Sequence, residues 1–270
     1  MAKAKERIDT LLVEQGLAPS REKAKAAIMA GLVSVDGQRV DKPGTEVPLS
    51  AVLVLQGPAC PYVSRGGLKL AKALKTFPIT LTEKVVLDVG ASTGGFTDCA
   101  LQNGAAKVFA VDVGYGQLAW SLRSDPRVVS MERTNARYLT PEQLGEQVDF
   151  VTIDVAFISL DKILPAIKGL IKPMGQVMAL IKPQFEAGKD KVGKKGVVKD
   201  PLVHREVIIK VLSMAEQVGY TVKGLSYSPV KGPEGNIEYL AWLAVGKEDS
   251  AESWALRMVE VVEQAHSSLD

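Results

Sequence analysis

Four charged residues stand where the pattern of the chain ends a buried strand or opens a helix. Lys69 lies in "SRGGLKLAKAL", Asp154 in "FVTIDVAF", Lys182 in "ALIKPQFE" and Glu238 in "GNIEYLAW". Two amines and two carboxylates are the kinds of side chain that orient a hydroxyl group and move its proton. Lys182 is the most telling, because it follows three apolar residues, Ala179 to Ile181, at the point where a strand leaves the core. Taken singly, each has a bland reading: Lys69 a surface helix residue, Asp154 a cap, Glu238 the solvent face of an edge strand. Their shared placement points to one site.

A second set of residues could hold a nucleoside. In "LDVGASTGGFTDCAL" a strand ends at Asp88, a glycine-rich turn follows, and a helix starts near Gly95. Glycine permits positive φ and lets a ligand approach the backbone. The dinucleotide fingerprint G-x-G-x-x-G does not fit Gly90 followed by Gly94-Gly95, and no G-K-[ST] makes it a phosphate loop. Asp112, ending the next strand in "AVDVGYG", is spaced to accept hydrogen bonds from ribose hydroxyls.

These residues need a scaffold whose strand ends meet at one edge. "KVVLDVG", "KVFAVDVG", "RVVS", "VDFVTIDV" and "QVMALIKP" are short apolar runs, with helical segments such as "QLAWSLRS" and "HREVIIKVLSMAEQV" between or after them. That rhythm predicts an α/β fold with a mostly parallel sheet. "VKGLSYSPV" and "IEYLAWLAV" are separated only by "KGPEGN", too short for a parallel crossover, so the last strand is expected to be antiparallel. In such a sheet the ligand crevice lies at the carboxyl ends of the strands.

Residues 1–60 read as a separate small α+β unit. Ile8, Leu11 and Leu12 share a helical face that Gly16 ends; Pro19-Ser20 opens a second helix carrying Ala24, Ala27 and Ile28 and closing at Gly31. "VSVDGQRV" is a hairpin around Asp36-Gly37, and "AVLVLQG" is a further strand. The stretch from Arg7 to Pro43 resembles the S4 RNA-binding module, which implies phosphate contacts by Arg7, Arg21 and Lys25, with Lys3, Lys5 and Lys23 close by. "QGPACPYVSRGGLKL" joins the parts, with residues 61–67 as linker and 68–270 as the larger domain.

The glycine-rich loop resembles the S-adenosylmethionine loop of RNA 2′-O-methyltransferases, with their D-x-G-A-x-x-G-G pattern. That resemblance implies cofactor contacts by Asp88, Gly90, Ala91, Ser92, Gly94, Gly95 and Phe96, by Asp112, and by Asn135-Ala136 at the adenine edge. The order Lys69, Asp154, Lys182, Glu238 resembles the tetrad of FtsJ-like ribosomal RNA 2′-O-ribose methyltransferases. With the S4-like unit in front, the whole chain is similar to the TlyA family, often labelled hemolysins. The resemblance implies a class I Rossmann-like methyltransferase acting on ribosomal RNA, at a cytidine 2′-hydroxyl, with S-adenosyl-L-methionine as cofactor and no metal. Lys182 is then the group that orients and deprotonates the hydroxyl, unless water is the base. Asp154 holds Lys182, and Glu238 binds Lys69 or the ribose.

Composition sets the remaining bounds. A hydrophobic content of 46% and a charged content of 24% suit a globular chain. No run reaches the roughly 18 apolar residues of a spanning helix. The charged start "MAKAKERIDT" is no secretory signal, so the cytoplasm is expected, with no stable membrane association. Only Cys60 and Cys99, with His204 and His266 far apart, argue against a disulfide framework or zinc site. The two histidines read as ordinary surface or helix residues. Net charge is only +2, yet residues 182–199 hold six lysines against two acids. "FEAGKDKVGKKGVVKD" is accordingly expected to be a mobile loop touching RNA through Lys189, Lys191, Lys194 and Lys195, with Arg65 on the linker. The partners expected are ribosomal RNA or ribosomal subunits. A membrane-lytic protein and a non-catalytic RNA-binding factor are the competing readings.

Overall fold

The computed structural model describes residues 5–29, 31–55, 60–246 and 254–269; Lys3 lies outside them. The first unit runs β1 (Lys5–Arg7), α1 (Ile8–Glu14), α2 (Arg21–Met29), β2 (Val33–Val35), β3 (Gln38–Val40), β4 (Glu46–Pro48) and β5 (Leu53–Leu55). Ser20 Oγ accepts the Lys23 N–H at 3.3 Å, which caps α2. Asp36 and Gly37 both take positive φ, so the β2–β3 hairpin turns through two residues with Val35 opposite Gln38. Ile8, Leu11 and Leu12 from α1 meet Ala24, Ala27 and Ile28 from α2 over Val33 and Leu53 in one small core. The pairing of β1 with β4 was not visible in the sequence, because three-residue strands carry no readable alternation.

The second unit begins with α3 (Gly66–Thr76) and continues β6 (Val85–Val89), α4 (Gly95–Gln102), β7 (Lys107–Val111), α5 (Trp120–Arg123), β8 (Val128–Met131), α6 (Pro141–Leu144) and β9 (Val148–Ile153). Then come α7 (Leu164–Ile167), β10 (Ile171–Ile181), α8 (Pro183–Glu186), α9 (Pro201–Val218), β11 (Tyr220–Tyr227), β12 (Tyr239–Val245) and α10 (Trp254–Leu269). The sheet order is β11-β12-β10-β9-β6-β7-β8. β12, the last strand in the chain, runs antiparallel to both neighbours and is inserted between β10 and β11. Alternate strand residues feed two cores. Leu87 and Val89 pack toward α7, α9 and α10, whereas Val86 packs toward α3 and α4. Among the described residues no helix is long and apolar enough to cross a membrane.

Three expectations need correction. The segment after Lys182 does pack at both ends: Glu186 is buried, accepting the Leu160 N–H at 2.7 Å, and buried Val198 donates its N–H to Asn236 Oδ1 at 3.0 Å. Only the lysine-rich middle lies on the surface. His204 is fully buried, with Nδ1 2.7 Å from the Tyr239 hydroxyl and Nε2 3.0 Å from the Val198 carbonyl. His266 from α10 reaches the same ring, Nε2 lying 3.1 Å from His204 Nδ1. Neither histidine is an ordinary surface residue, because the loop, α9, α10 and β12 converge on them.

Candidate active site

Topology brings the four charged residues together. Asp154 follows β9, its N–H donated to the Val89 carbonyl of β6 at 2.9 Å. Lys182 is the last residue before α8, whose Pro183 needs no N–H partner in the first turn. Glu238 immediately precedes β12. Lys69 comes from the first turns of α3 and crosses to meet them.

Their ion pairs form a line: Lys182 to Asp154, Asp154 Oδ2 to Lys69 Nζ at 3.5 Å, and Lys69 Nζ to Glu238 Oε2 at 2.6 Å. Two positive and two negative groups neutralise one another, as buried charges must. Burial works against the charge on Lys69, but Asp154 and Glu238 outweigh it and raise its pKa. Burial likewise opposes ionised Asp154, yet Lys69 and Lys182 hold its carboxyl below the usual range. The line has a front and a back. Asp154 and Lys182 side chains keep 19% and 11% of their surface open, whereas Glu238 keeps 1%, so Asp154 and Lys182 form the more open end of the line and Glu238 anchors Lys69 at its deeper end.

The cleft in front is about 520 Å³, within the range of small-molecule sites. Gly90, Ala91, Ser92, Gly95 and Phe96 line one wall, with Lys69, Asp154, Lys182 and Glu238 among the other lining residues. Gly90 has φ +85°, and a Cβ there would stand 2.5 Å from the Asp154 carbonyl oxygen. Gly94 has φ +97°, with its empty side facing Leu118 and Leu122. A Cβ on Gly95 would come 2.8 Å from the Gly67 nitrogen and 2.4 Å from Ser64 Oγ, so the start of α4 can touch the start of α3 only because residue 95 is glycine. Asp112 ties the wall down: Oδ2 accepts the Ser92 N–H at 2.8 Å and Oδ1 the Gly114 N–H at 2.7 Å.

Other expected residues are placed differently. Asp88 has no exposed surface; its oxygens take the Thr97 and Thr152 hydroxyls at 2.7 and 2.9 Å. It braces the loop from beneath and is not among the residues that line the cleft, where a direct cofactor contact was expected. Burial pushes its pKa up to about 6. Asn135 caps a short turn, accepting the Arg137 N–H at 3.1 Å, and lies with Ala136 and Asp112 beyond the residues that line the cleft.

The basic residues also sort themselves. Arg7 and Arg21 are both bound to buried Asp9, at 2.9 and 3.2 Å. Lys23 donates to the Pro61 carbonyl at 3.0 Å, and Lys191 pairs with Glu206. Lys5, Lys25, Lys189, Lys194 and Lys195 are exposed, and Arg65 lines the cleft. Sequence reading missed Phe157, which is 91% exposed at φ +62° with its ring centroid 5.1 Å from that of Phe185. An aromatic three residues past Asp154 was the available signal. It also missed Met29, Arg39 and Asp41, which reach the cleft from the first unit and for which no local signal exists.

Comparison with known proteins identifies both units. The FtsJ-like methyltransferase family model matches residues 62–245 and the S4 domain model residues 6–53. YqxC of Bacillus subtilis (strain 168), provisionally labelled an rRNA methyltransferase, is 54% identical over 273 residues, covering 100% of this chain and 97% of its own. The 16S/23S rRNA (cytidine-2'-O)-methyltransferase TlyA of Mycobacterium tuberculosis (strain ATCC 25618 / H37Rv) is 49% identical over 238 residues, covering 88% and 89%. A solved Streptococcus thermophilus structure labelled a hemolysin superposes with a TM-score of 0.78 at 48% identity, covering 99% and 98%. The glycine wall, the cleft volume and the tied Asp112 suit a nucleoside cofactor, and that cofactor is S-adenosyl-L-methionine. The chain belongs to the TlyA family, FtsJ-like S-adenosylmethionine-dependent methyltransferases that carry an S4 domain ahead of the catalytic fold.

Proposed function

We propose that this chain methylates a ribose 2′-hydroxyl of ribosomal RNA, at a cytidine, in the cytoplasm. The observation that carries the reading is the line Lys182–Asp154–Lys69–Glu238 opening on the cleft beside the glycine wall. The cytidine-2'-O-methyltransferase activity for which the Mycobacterium tuberculosis relative is named supports it.

S-adenosylmethionine, when bound, supplies a methyl group electrophilic enough for a hydroxyl oxygen to attack. Gly90 through Phe96 would hold its methionine half and Asp112 its ribose. Lys182 directs the 2′-oxygen toward the methyl, and Asp154 fixes Lys182. Lys69 and Glu238 keep Asp154 in place from behind. The hydroxyl proton has two acceptors in this arrangement, Lys182 in its neutral form and water in the cleft; the pH dependence of single-turnover transfer separates them. Exposed Phe157 packs on Phe185, whose ring centroid is 6.0 Å from Lys182 Nζ, and offers a ring on which the base of the target nucleotide can stack. The S4 unit and the lysines at 189, 194 and 195 add phosphate contacts, so affinity falls steeply with salt.

The test uses tritiated S-adenosylmethionine and ribosomal subunits from cells lacking the gene. Wild type is expected to place label on a ribose 2′-oxygen. Lys182→Ala is expected to lower the rate by about 10²–10⁴-fold while cofactor affinity stays unchanged. Label on a base, or normal turnover by the variant, would overturn the reading. Dye release from vesicles by the purified protein would bring forward the lytic alternative.

A further inference from the structure

The outer wall of the catalytic cleft is built by the S4 unit. Met29, at the end of α2, and Arg39 and Asp41, from β3 and the residue after it, line the same cleft as Lys69, Asp154, Lys182 and Glu238. Arg65, at the start of α3, lines it from the methyltransferase side. Its charge reaches the four-residue line, opposing the positive charge on Lys69.

Arg39 and Arg65 differ from Arg7 and Arg21. Arg7 and Arg21 are engaged by Asp9, whereas Arg39 and Arg65 make no ion pair among the described residues. Arg39 is nonetheless placed. Gly31 follows α2 at φ +69°, and a Cβ on it would stand 1.9 Å from Arg39 Nη2. The guanidinium therefore lies against Gly31, just past the end of α2 where a cation is favoured, and among the described residues its donors have no hydrogen-bond or ion-pair partner. A side chain at residue 31 would evict it.

We infer that Arg39 and Arg65 clamp the phosphates on either side of the target ribose, so that the S4 hairpin selects which nucleotide presents its 2′-hydroxyl to Lys182. The inference rests on the 2′-O reading above. A nucleotide within a chain carries a phosphate on its 5′ and its 3′ side, and a ribose placed at Lys182 brings both to the mouth of this cleft. The planar fork of an arginine binds phosphate through two parallel hydrogen bonds. Asp41, two residues from Arg39 on the same wall, repels a phosphate shifted along the strand and so penalises the wrong register. The S4 unit is thereby part of the active site as well as a tether.

The experiment measures kcat/KM for ribosomal subunits over a salt series with the full-length chain as wild type, Arg39→Ala, Arg65→Ala, the double variant and Arg39→Lys. Melting temperature and cofactor affinity serve as controls. Each alanine variant is expected to lose about tenfold in kcat/KM and to flatten the salt slope by about one. The double variant is expected to lose less than the product of the single losses, because two ends of one clamp are coupled. Arg39→Lys is expected to keep the salt slope while losing part of kcat/KM, and Arg39→Ala to spread label onto neighbouring riboses. Wild-type kcat/KM and salt slope in Arg39→Ala, with ribose still labelled by wild type, would overturn the clamp and leave the 2′-O reading standing. Base label from wild type would overturn both.

Discussion

Asp9 in the S4 unit and Asp154 in the methyltransferase unit are both acids set between two cations, yet they are built differently. Asp9 takes Arg7 and Arg21 from two and twelve residues away, and about half of each arginine side chain stays in solvent. Asp154 takes Lys69 from 85 residues away and Lys182 from another strand end, and both lysines are largely buried. Removing an ammonium from water costs several kcal/mol, a penalty that a contact serving only the fold can avoid with exposed or apolar partners. The first cluster anchors a small domain. The second holds lysines inside a cleft where a hydroxyl can meet them.

The largest effect that could break this contrast comes from the back of the line. Lys69→Ala leaves buried Glu238 without its ion pair and Asp154 with one lysine. Urea unfolding is expected to show a loss of about 3–5 kcal/mol, together with lost methyl transfer. Lys182→Ala keeps the Lys69 pairs and is expected to lose activity with much less stability. Equal destabilisation by the two would remove the distinction between front and back.

A smaller effect is expected in the S4 unit. The Arg7 guanidinium, against the opposing effect of burial and with help from Arg21, holds the Asp9 carboxyl below the usual range. A depressed acid stabilises the fold above its unfolded pKa of about 4 and loses that stabilisation as pH falls through the folded value. Asp9→Asn should therefore lower the S4 melting transition by roughly 5 °C at neutral pH, lose the difference in strong acid, and leave kcat at saturating RNA unchanged. A loss of kcat in this variant would mean the two clusters are not separate.

Asp88 sharpens the comparison with a shift of opposite sign. It is a third buried acid, held by threonine hydroxyls with no cation in contact, and its pKa moves up to about 6. The native state then holds a proton that the unfolded chain has released between about pH 4 and pH 6. Stability from this group falls as pH rises through that window, the opposite sign to Asp9. Melting curves of wild type and Asp88→Asn should diverge across it, and parallel curves would show that Asp88 titrates normally.

Much of this was legible because strand ends announce themselves. The run Ala179 to Ile181 before Lys182, and the short "KGPEGN" connection before Glu238, located both residues and the antiparallel hairpin. The glycine wall was readable because positive φ restricts residue choice at Gly90 and Gly94. What escaped depended on partners distant in sequence. No local pattern says that Arg39 crosses to a cleft in another domain, or that Asp88 turns under its loop toward Thr97 and Thr152. His204 looked unremarkable on an amphipathic helix because its partners, Val198, Tyr239 and His266, come from three other elements.

Those partners have a consequence for anyone redesigning the surface. The C-terminal helix α10 brings His266 onto His204, which meets the hydroxyl of Tyr239, the residue next to Glu238. Peripheral helices are ordinarily the first place to mutate for solubility or crystallisation. Here the contacts run from α10 through two imidazole rings to the residue beside the carboxylate that keeps Lys69 in position. The inner face of α10 belongs with the residues to be left alone when catalysis is to be preserved.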